Sequence, residues 1–256
     1  MKFKRVKLMG KNLDDVRPKI LERNMEIVDE NFDLVIAHGG DGTLLWAERD
    51  FPGVPKLALR DARTAPQCIN HSYDKVLDAL LKDELETTVL PKLECLYNGS
   101  RLIALNDIFV HNLERASALR YQVLIDDELY ANEIVGDSVG VATVHGSTAY
   151  YRSITQSIFR VGIGLAFSNS TEEINHLVLN ENSEVKIRVF RGPALMIADN
   201  SPEMIEVPEH GEVLIRTAQG QHAEVYGLKG FMCPECRVLR HPNKYPFRIL
   251  VDDGQQ

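Results

Sequence analysis

Residues 34–43 read LVIAHGGDGT, and this stretch decides the fold of the first part of the chain. Leu34–Ala37 is a short apolar run of the kind that forms a buried strand. Glycines flank Asp41 on both sides, and the residues from Thr43 to Arg49 have the character of a helix start. We therefore predict a strand, a glycine loop and a helix in direct succession.

The glycine loop is suited to a phosphate ligand. Because glycine has no β-carbon, Gly39, Gly40 and Gly42 let the backbone approach phosphate oxygens, and the first N–H groups of the following helix point toward an anion. A carboxylate beside phosphate is repelled unless it binds a metal or accepts a hydrogen bond from a hydroxyl, and both roles serve phosphoryl transfer to an alcohol. Asp41 is therefore a candidate catalytic residue. The alternative is a strand-to-helix turn in which Asp41 or Thr43 only caps the helix.

Outward from this loop, the first ninety residues alternate predicted strands and helices. The other elements are Phe3–Leu8, Leu13–Val28, Pro55–Leu59 and Ser72–Leu81. Pro18 argues against one unbroken helix in the second of these, and Ser72 is the expected cap of the last. Alternation of this kind predicts a mainly parallel sheet, so we assign residues 1–90 to an α/β domain.

The rest of the chain is dominated by predicted strands. They are residues 101–105, 108–110, 120–125, 139–143, 185–189, 194–197 and 212–216, with turn residues between them. One helix is expected from Ser147 to Ser157. We assign residues 91–256 to a mainly β, sandwich-like domain, whose tail from His241 could return to the first domain.

Composition narrows the class of protein. The 256 residues are 44% apolar and 26% charged, which argues against a disordered or fibrous chain. With 29 basic against 37 acidic residues the net charge is −8, which argues against a nucleic-acid-binding surface. No apolar run is long enough to span a membrane, and the N-terminus lacks a signal-peptide core, so a cytoplasmic protein without a membrane partner is expected. Four cysteines are too few for a disulfide framework and fit a reducing compartment.

Two further segments contain candidate ligand-binding residues. Asn106 and Asp107 follow one predicted strand, and residues 146–150, Gly-Ser-Thr-Ala-Tyr, follow another. In order and spacing, the glycine loop, the Asn-acidic pair and the Gly-Ser-Thr-Ala-Tyr segment resemble the NAD kinase family across roughly residues 30–230. The glycine loop alone also resembles that of kinases for lipids and sugars.

The resemblance implies an enzyme that transfers the γ-phosphoryl group of ATP to the 2′-hydroxyl of NAD, giving NADP. It implies that Mg²⁺ or another divalent cation accompanies ATP. Asp41 would orient the acceptor hydroxyl, and Gly39, Gly40, Gly42 and Thr43 would form the phosphate loop.

The same resemblance implies a dinucleotide site in the second domain. Asn106 and Asp107 would hydrogen-bond the adenine and ribose edges, Thr148 would donate to the nucleotide, and Tyr150 would stack on a base. The remaining positions are Asp137 near the nicotinamide end, Ala149, and Ser153 one helical turn after Ala149.

The chain departs from the family pattern at several positions. Residues 57–63, LALRDAR, contain none of the glycines usual after the first loop, and Arg60 or Arg63 could supply charge to the phosphates instead. Asp107 replaces a glutamate, and Ser138 replaces a glycine. These changes leave two other classes open, namely a non-catalytic nucleotide-binding regulator of the same fold and a kinase for another alcohol.

Two histidines and one cysteine pair are further candidates for ligand binding, and the edges of the predicted sheets are candidates for self-association. His38 and His145 lie on the motif loops, where imidazole could pair with phosphate or be an ordinary polar group. Cys233-Pro234-Glu235-Cys236 resembles half of a zinc knuckle, with free thiols as the alternative. Strand edges could pair with another copy of the chain, so a homo-oligomer, dimer or tetramer, is expected.

Overall fold

The computed structural model describes residues 3–64, 71–114 and 116–233. Contacts divide the chain into two compact units, one of Met1–Val89 with the chain from Ala223 onward, and one of Leu90–His222. The sequence instead assigns all of residues 91–256 to one domain. Residues 223–233 lie with the first unit, because Val225 and Tyr226 pair in parallel with the strand that begins at Lys56.

The first unit is built on a parallel sheet. Its elements in chain order are β1 (Arg5–Gly10), α1 (Arg17–Leu21), β2 (Glu26–Ile27), β3 (Leu34–Gly39), α2 (Asp41–Asp50), β4 (Lys56–Arg60) and α3 (Tyr73–Leu81). The strand order is β2-β1-β3-β4, and each pair is parallel. Every residue of β3 is buried, as expected for an inner strand of a parallel sheet. The predicted strand, glycine loop and helix are confirmed.

The prediction of a helix over residues 13–28 is wrong in length. A 3₁₀ turn, Leu13–Asp15, precedes α1, which ends at Leu21, and β2 follows. Pro18 lies in the first turn of α1, where a missing N–H costs no helical hydrogen bond, so the proline begins the helix instead of interrupting it. Ser72 occupies the N-cap position of α3 but its side chain makes no capping hydrogen bond.

The second unit consists mainly of antiparallel strands. Its elements are β5 (Thr87–Tyr97), β6 (Ser100–Ala104), β7 (Asp107–Asn112), β8 (Leu119–Ile125), β9 (Glu128–Gly136), β10 (Ser138–Ala142), α4 (Tyr150–Thr155), β11 (Ile163–Ser168), β12 (Leu177–Leu179), β13 (Val185–Arg191), β14 (Ala194–Ala198), β15 (Met204–Val207) and β16 (Glu212–Tyr226). One sheet has the order β12-β11-β10-β7-β14-β15. The other runs β16-β13-β8-β9, with β5 beside β16 and β6 beside β5. A short helix, α5 (Leu228–Phe231), follows β16 in the first unit.

The two sheets of the second unit enclose a common apolar core, which confirms the sandwich-like fold. Along β8, Leu119, Tyr121 and Val123 are buried while Arg120 and Gln122 are half-buried, the alternation of a strand with one face inward. Core residues from both sheets include Tyr121, Val139, Leu165, Ile187 and Val213.

Five strands of this unit, β5, β9, β11, β12 and β15, were not predicted from the sequence, and the one predicted helix is too long. Strand β9 has two consecutive polar residues, Asn132 and Glu133, and Glu133 has a left-handed φ of 52°, so the alternation of the strand is broken. Strand β11 is almost wholly buried and therefore shows no alternation. The predicted helix over residues 147–157 is a 3₁₀ turn, Gly146–Thr148, followed by α4. No helix of the described chain has the length and apolar character that crossing a bilayer requires.

Candidate active site

The conformation of the loop between β3 and α2 requires that one of its residues has no side chain. A β-carbon on Gly39 would lie 2.2 Å from Oγ1 and 3.0 Å from Cβ of Thr43, so the side chain of Thr43 fills the place that a residue other than glycine would need. Gly40 has room, because a β-carbon there would lie 3.7 Å from its nearest neighbour, Nη1 of Arg60. The loop is thus closed on its Gly39 side and open at Gly40.

The carboxylate of Asp41 projects from the first residue of α2 and is 55% exposed. The N-cap of α2 is Gly40, without a side-chain capping bond, so the structure does not support Asp41 as a simple cap. Oδ1 of Asp41 accepts a hydrogen bond from Nη2 of Arg60 at 3.0 Å. Asp41 therefore presents an accessible carboxylate at a helix N-terminus, where the helix dipole stabilises negative charge.

The two arginines that replace the glycine-rich segment are ion-paired inside the first unit. Arg60, at the end of β4, is only 9% exposed and contacts Asp41. Arg63 forms hydrogen bonds of 2.6 Å and 2.5 Å to the carboxylate of Asp15, which hold the pKa of that carboxyl below its usual range. The sequence indicates a positive charge in this segment but not these carboxylate partners.

His38 has no ring nitrogen available for phosphate. Its side chain is fully buried, with Nδ1 2.5 Å from the Lys11 carbonyl and Nε2 2.8 Å from the hydroxyl of Tyr73. The Tyr73 oxygen also accepts the N–H of Ala62 at 2.8 Å, so its proton is free to go to Nε2 of His38. Both ring nitrogens of His38 are therefore engaged within the first unit, and they tie the end of β3 to its neighbours.

In the second unit, a buried carboxylate holds the Asn106-Asp107 turn. Asp199, at the end of β14, accepts backbone N–H bonds from Leu105 and Asn106 at 2.7 Å and from Asp107 at 3.1 Å. Burial raises the pKa of Asp107 to about 7, and the nearby Asp199 adds to the effect. Burial also raises the pKa of Asp199. Sequence reasoning missed Asp199, whose signal was a polar residue directly after an apolar strand.

Asn106 offers an unused hydrogen-bonding atom. The residue is 7% exposed, and its Oδ1 is buried without a hydrogen-bond partner among the described residues. Buried polar atoms are normally satisfied, so an orphan of this kind often marks a ligand position.

The start of the Gly-Ser-Thr-Ala-Tyr segment lies against the Asn106 turn. A β-carbon on Gly146 would lie 2.0 Å from the carbonyl oxygen of Asn106, so only glycine fits. Oγ1 of Thr143 donates to the carbonyl of Leu105 at 2.7 Å and accepts the N–H of Gly146 at 3.0 Å. The fold therefore brings two of the three predicted segments together, and the two hydrogen bonds of Thr143 join them.

A polar groove of about 490 Å³ runs beside α4. Tyr150 and Ser153 line one side, and Asn169, Glu172 and His176 are among the lining residues that follow β11. The ring of Tyr150 is 38% exposed and stacks on His111, with ring centroids 5.8 Å apart and planes 27° apart.

The other predicted nucleotide contacts lie near this groove with local partners of their own. Asp137 accepts a hydrogen bond from Nδ2 of Asn169 at 2.7 Å, which places it next to a groove residue. Oγ1 of Thr148 is 3.4 Å from the carbonyl of His145, and Oγ of Ser153 is 3.4 Å from the carbonyl of Ala149. Both hydroxyl contacts are long, so either hydroxyl can turn to a ligand at little cost.

The predicted zinc-knuckle segment is only partly visible. Cys233 is a buried free thiol, while residues 234–236 lie outside the described residues, as does the tail from His241. Within residues 3–64, 71–114 and 116–233 no three metal-ligating side chains cluster.

Comparison with known proteins finds NAD kinases among the similar sequences. No protein-family model matches the chain. An NAD kinase of Lactobacillus helveticus is 27% identical over 235 residues, which are 87% of this chain and 81% of that protein. An NAD kinase of Saccharolobus islandicus is 32% identical over 164 residues, 60% of this chain and 64% of that protein.

Solved structures show the same fold. An NAD kinase from Archaeoglobus fulgidus in complex with ATP has a TM-score of 0.74 at 18% identity and covers 92% of this chain and 99% of its own. Yeast NADH kinase complexed with NADH has a TM-score of 0.75 at 17% identity, and the match covers 90% of this chain and 86% of that chain. The glycine loop, the Asn106-Asp107 turn and the Gly-Ser-Thr-Ala-Tyr segment follow the order of the NAD kinase family, and the chain is similar to these NAD kinases in sequence and in fold.

Proposed function

We propose that the protein is an NAD kinase that makes NADP from ATP and NAD. The observation that carries the proposal is the accessible carboxylate of Asp41 at the end of a glycine loop and the start of a helix. A helix N-terminus with free N–H groups attracts phosphate, and a carboxylate in that position suits an alcohol acceptor. The relatives named NAD kinase support the same activity.

Asp41 acts on the acceptor hydroxyl in this proposal. The 2′-oxygen of the NAD adenosine ribose forms a bond to the γ-phosphorus while the bond from that phosphorus to the β-phosphate oxygen breaks, and ADP leaves. The hydroxyl proton passes to Asp41 late in the step and then to water. Because a carboxylate is a weak base toward an alcohol, its main contribution is orientation of the nucleophile.

The residues at the phosphate loop are compatible with a magnesium ion that binds together with ATP. Mg²⁺ in kinases is commonly held by one or two carboxylates together with substrate phosphates, and not by an all-protein cage. Asp41 is a carboxylate beside the phosphate loop that could hold the ion through one of the ion's waters, while its Oδ2 faces the acceptor hydroxyl. When bound, the ion neutralises charge on the β and γ oxygens.

The second unit would bind the dinucleotide. Oδ1 of Asn106 lacks a partner and can accept from the adenine amino group, while Asp107, when ionised, can accept from ribose hydroxyls. The groove beside Tyr150 and Ser153, with Asp137 bonded to Asn169, is a suitable place for the nicotinamide end. Thr148 and Ala149 precede α4 and would contact the nucleotide backbone.

We also propose a cytoplasmic homo-oligomer. The free thiols of Cys95 and Cys233 suit a reducing compartment. Val178 on β12 and Met204 on β15 are 48% and 55% exposed on the terminal strands of one sheet, and exposed edges of this kind favour pairing between copies. Light scattering at micromolar concentration would contradict self-association by returning the mass of a single chain.

The activity is tested by incubating the purified protein with ATP, Mg²⁺ and NAD and measuring NADP with an NADP-specific dehydrogenase. We expect NADP from wild type and a loss of at least about 100-fold in kcat for Asp41→Asn. Asp50→Asn is the matched control, because Asp50 ends the same helix and hydrogen-bonds Trp46 and Arg49. Equal rates for Asp41→Asn and wild type would remove Asp41 from the reaction, and NAD binding without any NADP would favour a regulatory protein.

A further inference from the structure

Arg60 stands where the chain departs from the family's glycine pattern, and its guanidinium is held by several groups at once. Nε donates to the carbonyl of Phe231 at 3.0 Å, and Cζ lies 3.7 Å from the centroid of the Phe231 ring. Nη2 donates to Asp41 at 3.0 Å and lies 3.7 Å from Sδ of Met232. Since Arg60 is 9% exposed, the guanidinium has little freedom to move.

Without its bond to Arg60, the side chain of Asp41 would have much more conformational freedom than that of Arg60. It is the first residue of α2, its carboxylate is 55% exposed, and its Oδ1 receives the charged hydrogen bond from Arg60. A charge-assisted bond from a fixed donor restricts the carboxylate to one orientation and leaves Oδ2 to face a hydroxyl. The pair also has no net charge, so Asp41 repels an approaching triphosphate less than a lone carboxylate would.

We propose that Arg60 is a positioning residue that orients Asp41 for the transfer step, and that α5, through Phe231, holds Arg60 in place. The proposal rests on the proposed function, because it assigns Arg60 a role through the catalytic Asp41. It also gives a physical reason for an arginine at position 60, since a long side chain is needed to reach from β4 to both Asp41 and Phe231.

The test is steady-state kinetics of Arg60→Gln and Arg60→Lys with both substrates. Misplacing a reacting group by an ångström can cost about 100-fold, so we expect kcat of Arg60→Gln to fall by about 10-fold to 100-fold. The KM values for ATP and NAD should change by less than about 2-fold. Arg60→Lys should fall between wild type and Arg60→Gln, because lysine keeps a charge but cannot serve Asp41 and Phe231 together.

Arg23→Gln separates a positioning role from simple loss of stability. Arg23 is a similarly enclosed arginine of the first unit, 13% exposed in its side chain and paired with Asp74 and Asp78. Its removal should lower the melting temperature about as much as removal of Arg60 while leaving kcat within about 2-fold of wild type. If Arg60→Gln proves too unstable to assay, Phe231→Leu removes only the ring face and should lower kcat by roughly 2-fold to 5-fold.

A double variant decides whether Arg60 acts through Asp41. Adding Arg60→Gln to Asp41→Asn should reduce the remaining rate no further, because the carboxylate to be oriented is already gone. A fully additive loss, a raised KM for ATP, or an unchanged kcat in Arg60→Gln would overturn the positioning role while wild type still makes NADP. No NADP from wild type would overturn the proposed function and the positioning role together.

Discussion

Oδ1 of Asp199 lies 2.7 Å from the backbone nitrogen of Asn106, and this bond brings a second buried carboxylate next to Asp107. Two carboxyl groups that are both withdrawn from water cannot both be ionised without cost. Burial raises the pKa of both groups, that of Asp107 to about 7, while three backbone N–H donors offset part of the effect of burial on Asp199. The expected acceptor site is thus built around a carboxylate that titrates near neutral pH.

Asp107→Asn should stabilise the fold at pH 8. The folded-state pKa of Asp107 is raised from 3.8 to about 7, so the folded protein bears the cost of an ionised buried group above pH 7 and is relieved of it as the pH falls toward 4. The full cost corresponds to up to about 4 kcal/mol. Urea unfolding at pH 8, 6.5 and 5 should show an advantage for Asp107→Asn that shrinks with each step. An advantage that is constant with pH would mean that Asp107 does not titrate in this range.

Binding of NAD should weaken as the pH falls below 7. In the proposed site only the ionised form of Asp107 accepts hydrogen bonds from both ribose hydroxyls, and protonation removes that capacity. The KM for NAD is expected to rise by up to about 10-fold per pH unit below 7, while the KM for ATP stays flat. Asp107→Asn should have a raised KM for NAD with little pH dependence. A KM for NAD that is level between pH 6 and 8.5 in wild type would contradict this role.

The parts of the fold that the sequence predicted are those that local chemistry determines. Leu34–Gly39 is apolar and buried throughout, and the glycines that follow it end the strand wherever the rest of the chain lies. The positions of the three motif segments could likewise be predicted from the sequence, because each segment follows a strand and contains its own turn residues.

The partners of the site residues were not predicted, because they are distant along the chain. Asp199 is 93 positions from Asn106, and Phe231 is 171 positions from Arg60. Nothing in the composition near Arg60 indicates that its guanidinium will be covered by a ring from the end of the described chain. The role of His38 could not be predicted for the same reason, since its hydrogen-bond partner Tyr73 lies on helix α3, 35 positions away along the chain.

Asp199→Ala should destabilise the second unit and weaken the acceptor site together. The change leaves the backbone N–H groups of residues 105–107 without their acceptor, and each buried orphan costs about 1–3 kcal/mol, so we expect a loss of at least about 3 kcal/mol. Asp127→Asn is the control, because Asp127 is 75% exposed, its ion pair with Lys186 is a surface contact worth at most about 1 kcal/mol, and asparagine tolerates the left-handed φ of 67° at this position. Similar unfolding midpoints for the two variants would show that the three bonds to Asp199 add nothing to stability.

Alanine should destabilise the fold at Gly39 but have little effect on it at Gly40, although the two glycines are neighbours. At Gly39 the new β-carbon would lie 2.2 Å from Oγ1 of Thr43, and rotating that β-branched side chain still leaves Cβ at 3.0 Å, so the backbone of the loop must shift. Overpacking of this kind costs about 1–3 kcal/mol. At Gly40, with φ of −108° and 3.7 Å to the nearest atom, alanine should fold within about 0.5 kcal/mol of wild type. Urea unfolding measures both, and a Gly40→Ala protein less stable than Gly39→Ala would show that the loop is not closed on the Gly39 side.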